Sequence, residues 1–298
     1  MDKPLAFNLF IYIKKQTLIL ISSILLLSFS VQAVQKVEIY TYDSLPPFSF
    51  RDENNNLTGI YIEAVKKIAE GMPNYDISFK VVPWSRAKAL AEQGQAFAIL
   101  PPYYHAHDWL TKSKPHRSYL WPYSQPIFAQ TDVVICKDNV KLADNASFPQ
   151  DFTDLSFASM RGDGRAGSAF ASLVKTKKIH LNQLDTIESA ILFFLHRNVD
   201  CIVSSQYPFY WYLGKLQEVK SYELNDRYIT VYLDGKMISL RKVMVIATNY
   251  GHLAYTDINS KQTFPFKKDF SIQFDIGLYQ LKKSGKMNDI INEMLNFN

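Results

Sequence analysis

Strand and helix patterns alternate along the first part of the chain, and this alternation restricts the fold more than any other feature. Residues 37–42 alternate apolar and polar side chains, as a half-buried strand does, and apolar residues recur at helical spacing over residues 60–71. A second strand pattern covers residues 76–82, a second helix pattern follows Pro83, and residues 96–100 form a third strand pattern. A β-α-β-α-β order is typical of a parallel sheet flanked by helices.

A similar order of elements recurs later in the chain. The elements predicted there are strands at residues 132–136, 155–160 and 199–203 and helices at residues 168–177 and 187–195. Each of the two α/β units is too small to use the whole chain. We therefore predict two lobes.

The chain divides into four predicted segments. We expect a signal peptide at residues 1–33, the first part of lobe 1 at residues 34–127, lobe 2 at residues 128–251 and a C-terminal return to lobe 1 at residues 252–298. The return has a helical pattern with a break at Gly285, and it can cover the first lobe.

The first 33 residues have the pattern of an export signal. Lys14 and Lys15 precede an uncharged, Leu- and Ile-rich stretch at residues 17–29, and residues 31–33 (Val-Gln-Ala) are of the small type before a signal-peptidase site. We therefore expect a mature protein in the periplasm. Residues 16–35 carry no charge and reach the ~20 residues that span a bilayer, so an uncleaved membrane anchor is the alternative.

Composition excludes several classes of protein. Charged residues make up 20% of the 298 residues, and 33 Lys plus Arg against 28 Asp plus Glu give a formal net charge of +5. Because the two signs are mixed, a nucleic-acid-binding protein is not expected. The 47% of hydrophobic residues can form one large or two moderate cores, which excludes an intrinsically disordered chain.

The chain contains two cysteines, Cys136 and Cys201. Two are too few for a disulfide scaffold or a thiolate metal cluster, but they are enough for one bridge in an oxidising compartment. Both lie on predicted strands of the second lobe, so we predict one disulfide between them. The sequence leaves open whether these two strands are neighbours.

Four short motifs occur in a fixed order after the predicted signal. They are Tyr-Asp-Ser-Leu-Pro-Pro-Phe-Ser-Phe at residues 42–50, Leu-Thr-Gly-Ile at 57–60, Val-Pro-Trp-Ser-Arg-Ala at 82–87 and Leu-Lys-Lys-Ser-Gly at 281–285. In this order they resemble the periplasmic substrate-binding proteins of the polar amino-acid transport kind, that is, type II, solute-binding family 3-like proteins. The Pro-Trp-Ser-Arg-Ala motif resembles that of a divergent branch.

The resemblance implies a fold and a function. The expected fold is α/β with two lobes, each a mainly parallel sheet flanked by helices, joined by two hinge crossovers. The expected function is capture of a small polar solute, amino-acid-like or related, for an inner-membrane transporter permease. The family also implies a monomer that needs no cofactor and does no chemistry.

Five candidate ligand residues follow predicted strand ends: Asp43, Trp84, Tyr103, Arg165 and Ser205. Ligands of open α/β sheets bind outside the carboxyl ends of strands, where loop N–H groups point outward. An aromatic ring there forms a flat apolar wall that can also stack on a cation.

The resemblance adds further ligand candidates. It places an aromatic at Trp84 and another near Phe48 against the ligand; the alternative for both rings is the core of the first lobe. It matches Arg117 to the family's carboxylate-binding arginine, because Arg117 precedes Ser-Gln-Pro at residues 124–126, although the stretch at residues 101–116 is longer than usual. A guanidinium binds a carboxylate through two parallel N–H groups; a surface position is the alternative for Arg117.

The Gly-rich turn at residues 161–167 matches G-x-G-x-x-G between a strand and a helix. We do not expect a dinucleotide there, because the motif is short, lies in the second unit and belongs to an exported chain. A Gly-rich turn before a helix presents N–H groups to any anion, and the family uses it for the ligand's carboxylate. Gly164, Arg165 and Ser168 are therefore candidates.

Ser205 stands where amino-acid binders of this family have an Asp that pairs with the ligand's amino group. A desolvated amino group beside a neutral hydroxyl would cost several kcal/mol unless Asp43 or another carboxylate replaced that Asp. We therefore expect weakened selection for α-amino groups.

Two rival functions remain from the sequence. An enzyme on the same scaffold, like the family's rare dehydratases, would need an acid or base in the cleft, for which Asp43 and His116 are the suggestions. A membrane-tethered ligand sensor would keep residues 1–33.

His105, His107, Asp108 and His116 could be read as a metal cluster, but two histidines two residues apart in a Tyr-rich loop are more often simply exposed, so no metal is expected.

We predict cleavage after Ala33, because small residues precede that bond at the end of the apolar stretch. N-terminal sequencing of the protein from the periplasmic fraction should begin at Val34. A chain that starts at Met1 and sediments with membranes would instead support the tethered sensor.

Overall fold

The computed structural model describes residues 34–104, 109–161 and 163–295. The predicted signal segment, and the loop residues His105, His107 and Asp108, lie outside the described residues. Among the described residues, no helix combines the length and apolar character that a membrane crossing requires.

The described residues form two larger sheets, one small sheet and eight α-helices. The strands are β1 (Gln35–Thr41), β2 (Ser44–Leu45), β3 (Ser49–Arg51), β4 (Leu57–Thr58), β5 (Tyr75–Val81), β6 (Ala98–Ile99), β7 (Leu120–Tyr123), β8 (Phe128–Lys137), β9 (Ser156–Met160), β10 (His180–Leu184), β11 (Cys201–Ser205), β12 (Val219–Leu224), β13 (Tyr228–Leu233), β14 (Lys236–Gly251) and β15 (Ala254–Thr256). The helices are α1 (Ile60–Ala69), α2 (Trp84–Glu92), α3 (Gly167–Lys175), α4 (Ile187–His196), α5 (Gln206–Lys215), α6 (Ser260–Thr263), α7 (Lys267–Lys283) and α8 (Lys286–Leu295).

The first lobe is built on a five-stranded sheet in the order β5-β1-β6-β15-β7. β1 and β6 are parallel, with Ile39 opposite Ala98, whereas β15 pairs antiparallel with β6 and β7. Helix α1 buries the apolar face that the sequence predicts, and α7 brings Phe270 and Phe274 from the C-terminal return into the same core. The return therefore completes the first lobe.

The second lobe contains a seven-stranded sheet in the order β10-β9-β11-β8-β14-β13-β12. Strands β10, β9 and β11 are parallel, and the remaining neighbours are antiparallel. The expectation of a mainly parallel sheet is therefore wrong for this lobe. The reason is local, because Asp234 and Gly235 have φ angles of +46° and +75° and form a two-residue turn that returns β13 directly into antiparallel β14.

The chain crosses between the two sheets twice, between β7 and β8 and between β14 and β15. The crossings are hydrogen-bonded to each other: the Ser124 amide donates to the Leu253 carbonyl at 2.8 Å, and the Ile127 amide donates to the Gly251 carbonyl at 2.8 Å. The domain boundaries at residues 127/128 and 251/252 stay a prediction.

A disulfide joins Cys136 to Cys201 in the second lobe. The two residues are direct partners in the antiparallel pairing of β8 with β11, and both are fully buried. The strands that carry the two cysteines are therefore neighbours, a point that the sequence left open.

We expect no free thiol in the exported protein, because both cysteines are cross-strand partners in an oxidising compartment. Alkylation of the denatured, unreduced chain should label neither cysteine. Reduction should lower the free energy of unfolding by about 2–4 kcal/mol, since the bond closes a long loop in the unfolded chain. Two labelled thiols per chain would contradict the prediction.

Candidate functional site

The carboxyl ends of the first-lobe strands face the second sheet. Tyr42 follows β1, Trp84 begins α2 directly after Pro83 and three residues beyond the end of β5, and Tyr103 follows β6. The Tyr103 hydroxyl donates to Oε1 of Gln130 in β8 at 2.6 Å. This contact joins the two lobes directly at the edge where α/β sheets bind ligands.

Ser205 ends strand β11 and lies opposite Asp132 in β8. Its hydroxyl donates to Asp132 Oδ1 at 2.5 Å and accepts from the Gln130 side-chain amide at 2.9 Å. It also accepts from Nη1 of Arg165. Ser205 is 1% exposed, so this serine is the buried centre of a polar cluster.

Arg165 follows β9 and links two carboxylates. Its Nε lies 2.8 and 2.6 Å from the two oxygens of Asp163, and its Nη1 lies 3.2 Å from Asp132 Oδ1. The Arg165 backbone amide also donates to Asp163 Oδ1 at 3.1 Å, which holds the turn. The two carboxylate side chains are 6% and 8% exposed for Asp163 and Asp132, so both charges depend on this guanidinium. We call Gln130, Asp132, Asp163, Arg165 and Ser205 the polar cluster.

Aromatic rings cluster beside the carboxyl ends of the first-lobe strands, where Trp109 is buried in a first-lobe core cluster and Trp84 packs, partly buried, against it. The Trp84 ring centroid is 5.2 Å from that of Tyr42 and 6.2 Å from that of Trp109, the second pair being edge-to-face. The Trp109 indole N–H donates to the Tyr103 carbonyl at 2.9 Å, which ties these rings to the residue that meets Gln130. Tyr42, Trp84 and Trp109 together are called the aromatic wall.

The tyrosines of the cleft are kept neutral. Burial raises the pKa of Tyr42 to about 12. Burial also raises the pKa of Tyr103, and the nearby Tyr42 and the negative charge of Asp132 raise it further, while Arg165 lowers it. Tyr103 links the aromatic wall to the polar cluster, because its carbonyl accepts from the Trp109 indole and its hydroxyl donates to Gln130.

The structure brings four of the nine predicted ligand residues into this site: Trp84, Tyr103, Arg165 and Ser205. It places Phe48 fully buried in the first-lobe core, where the ring contacts Tyr61 and Phe128. The core alternative therefore describes Phe48, and Trp84 also packs, partly buried, against a first-lobe core cluster.

Arg117 and Asp43 have other surroundings. Arg117 is exposed, and its backbone pairs with Thr111 in the segment between α2 and β7. Asp43 forms an ion pair with Arg51 at 2.7 Å. Arg165, rather than Arg117, is therefore the guanidinium of the cluster.

Gly164 and Ser168 are exposed beside Arg165. Ser168 is in the first turn of α3 and lines a groove of about 620 Å³ together with Phe148 and Val245. Among the described residues, no hydrogen bond joins Gly164 or Ser168 to the polar cluster.

Asp132 changes the interpretation of Ser205. The expectation of weakened selection for α-amino groups at Ser205 stays a prediction; the neighbouring strand supplies a carboxylate, Asp132, to the same hydroxyl, which is the kind of replacement that the expectation allowed for. The pattern at residues 132–136 predicts a strand and does not mark Asp132 as a site residue. A carboxylate at the start of the apolar run Val133 to Ile135 is the signal that could have identified it, since buried carboxylates need partners. Gln130, Asp163 and Tyr42 were also missed.

One surface group could hold a metal ion among the described residues. His196, Glu218 and Asp234 each present a ligand atom, and these atoms lie within 4.8 Å of one another. All three are exposed, and His196 already contacts Glu218 at 2.5 Å. The group therefore reads as a surface ion pair with a neighbouring carboxylate. His116, which the sequence offers as a possible metal ligand or acid-base group, contacts the Thr111 carbonyl at 2.7 Å.

The chain belongs to the bacterial extracellular solute-binding proteins, family 3, because the sequence profile of that family matches residues 37–296. The L-cystine solute receptor of Neisseria gonorrhoeae, in its unliganded open conformation, is a similar structure: the TM-score is 0.59 at 14% sequence identity, over 88% of this chain and 93% of the receptor. Comparison with the curated proteins finds no match.

Two other similar structures are a substrate binding domain and a sensor domain. Substrate binding domain 2 of Lactococcus lactis GlnP, in an open conformation, matches with a TM-score of 0.59 at 13% identity, over 88% of this chain and 96% of the domain. A histidine kinase sensor domain with similarity to periplasmic binding proteins matches with a TM-score of 0.53 at 16% identity, over 87% of this chain and 96% of the domain. At these identities the likeness shows the fold alone. The two-lobed α/β fold expected from the sequence is confirmed, with mixed sheets.

We predict that Ser205→Ala lowers the free energy of unfolding by about 1–3 kcal/mol in the absence of any solute. The substitution leaves the buried donors of Gln130 and Arg165, and the Asp132 carboxylate, each without one partner. Urea unfolding followed by circular dichroism measures the change.

Ser168→Ala is the matched control for this stability measurement, because Ser168 is exposed and should change the free energy of unfolding by less than ~0.5 kcal/mol. Equal stability of the two variants would show that the buried cluster does not hold the sheet ends together.

Proposed function

We propose that this chain is an exported protein that captures a small polar solute between its two lobes and delivers it to an inner-membrane transporter. The observation that carries the proposal is the site itself: the aromatic wall comes from the first lobe, the polar cluster comes from the second, and Tyr103 contacts Gln130 across the cleft. A solute that touches both sides would favour the closed arrangement of the lobes, because a ligand stabilises the state that it binds better.

The residues that form the site in this proposal are Trp84, Tyr103, Arg165 and Ser205, joined by Asp132. The aromatic wall supplies apolar area and a negative ring face, and the cluster supplies hydrogen-bond partners that fix orientation. The similar structures named for an L-cystine solute receptor and for a substrate binding domain support the solute-binding role.

Export follows from the same proposal. The family is one of extracellular proteins, and residues 1–33 have the pattern of a signal peptide cleaved after Ala33, which would release the mature chain into the periplasm. In this proposal the protein acts as a monomer, its partner is the transporter permease, and it does no chemistry itself.

A second candidate is a ligand sensor that stays attached to the membrane. The likeness to a histidine kinase sensor domain with similarity to periplasmic binding proteins favours it. The two candidates share the cleft and differ in the fate of residues 1–33, so the N-terminal sequencing described above separates them.

We expect at least one small polar solute to raise the melting temperature in a thermal-shift screen of amino acids, amines, oligopeptides, sugars and organic acids. A solute at ~100 times its Kd stabilises the folded chain by about 2.7 kcal/mol. The bound solute is then tested with Trp84→Ala, which should weaken binding by at least ~1 kcal/mol in calorimetry, because the variant removes the central ring of the aromatic wall.

Trp121→Ala is the matched control for Trp84→Ala. The Trp121 side chain is 57% exposed, so its loss should leave affinity unchanged. No stabilising solute in the whole screen, or equal affinity of wild type and Trp84→Ala, would contradict the proposed site.

A further inference from the structure

The guanidinium of Arg165 is already engaged on both of its edges. Nε has one hydrogen, which points to the Asp163 carboxylate, and Nη1 has two hydrogens, for which Asp132 and Ser205 are the acceptors. A carboxylate binds an arginine side-on through Nε and Nη2, or end-on through Nη1 and Nη2. Each of these two edges includes a nitrogen that the protein's own oxygens occupy.

A ligand carboxylate could take such an edge only by displacing a buried carboxylate of the protein. The Asp163 and Asp132 side chains are 6% and 8% exposed, whereas the Arg165 side chain is 27% exposed. Displacement would leave a buried charge without its partner, which is among the most unfavourable changes in a protein interior. Arg117 does not replace Arg165 in this role, since it is exposed on the segment before β7.

The charge of the polar cluster favours a cation. Two carboxylates face one guanidinium, so the cluster carries one net negative charge, and its other members, Gln130 and Ser205, are neutral. Asp43, the other acidic residue at a first-lobe strand end, is paired with Arg51 and leaves this balance unchanged.

The aromatic wall, on the first lobe, also favours a cation. The faces of aromatic rings such as those of Tyr42 and Trp84 are negative, so they attract an ammonium or guanidinium group and repel a carboxylate. The cleft tyrosines are neutral at physiological pH, as ordinary tyrosines are, and burial raises their pKa further. Both sides of the cleft therefore suit a positively charged ligand head.

We propose that the cleft selects an organic amine without a neighbouring carboxylate over the amino acid that carries the same side group. This inference rests on the proposed function, because it assigns the class of solute to the same site. In it, Asp132 is the partner of the ammonium group, the aromatic wall covers its alkyl chain, and Arg165 is a positioning residue for the two aspartates.

The test compares matched pairs that differ only by the carboxylate: cadaverine with lysine, putrescine with ornithine, agmatine with arginine, and histamine with histidine. Calorimetry on the wild-type chain should find at least one amine that binds at least tenfold more tightly than its amino acid. An amino acid that binds as tightly as its amine, or more tightly, would overturn the inference and leave the proposed function intact.

Binding of a neutral sugar or an organic acid, with no response to any of the eight probes, would likewise overturn the inference alone. The absence of any stabilising solute in the wider screen would overturn the proposed function together with it. The two failures are therefore distinguishable.

Asp163→Asn tests the cause of the selectivity. The variant weakens the hold on Nε and opens the side-on edge of Arg165, so the affinity ratio of amine to amino acid should fall at least fivefold. Asp185→Asn is the matched control, because Asp185 pairs with the exposed Arg161 on the same side of the lobe at 3.1 Å. Its ratio should equal that of the wild type.

Asp132→Asn provides an independent readout if Asp163→Asn folds poorly in circular dichroism. It removes the proposed ammonium partner and keeps an oxygen for Ser205, so amine affinity should fall at least tenfold without a matching gain for the amino acid. An unchanged amine affinity in a folded Asp132→Asn chain would overturn the assignment of Asp132.

Discussion

The two crossings between the lobes run side by side and hydrogen-bond to each other, and together we call them the ribbon. The position of the site depends on this ribbon. It continues directly into the pairing of β8 with β14, where Phe128 lies opposite Gly251. The fully buried Tyr61 ring lies so close to Gly251 that a Cβ there would come within 2.0 Å of the Tyr61 hydroxyl oxygen. Only glycine fits this close approach, so the core of the first lobe packs onto the ribbon itself.

The ribbon determines which residues can meet across the cleft. Gln130 and Asp132 lie on β8 shortly after the first crossing, and Tyr103 forms a bridge with Gly251 at the second. The contact between Tyr103 and Gln130 is therefore a direct consequence of the paired crossings.

Charge burial ties the stability of the site to its selectivity. Asp132 and Asp163 are nearly inaccessible, and buried charges are tolerated when each has a partner in good geometry. Arg165 meets that need for both aspartates at once and loses its capacity to receive a third carboxylate side-on. The same contacts that hold the ends of β8, β9 and β11 together thus decide which ligand charge the cleft accepts.

Much of the fold follows from patterns that span a few neighbouring residues. The helix over α1, the break at Gly285 between α7 and α8, and the strands β1, β5 and β9 agree with the sequence analysis within one or two residues. The antiparallel β12-β13-β14 ribbon was not anticipated, although Asp234-Gly235 is a turn signal for a hairpin. A turn signal indicates a hairpin only when strand patterns flank it, and the half-buried patterns of β13 and β14 are weak.

The sequence by itself determined the order of the elements, the two-lobed α/β class and four members of the site, because periodicity and strand-end position are local properties of the chain. Tertiary structure alone decided that Asp132 meets Ser205, since that contact joins residues 73 positions apart and depends on strand register. It also decided that Arg165, and not Arg117, belongs to the cleft. In the sequence the two arginines are the same kind of residue, because the carboxylates that surround a guanidinium are brought to it by the packing of distant strands.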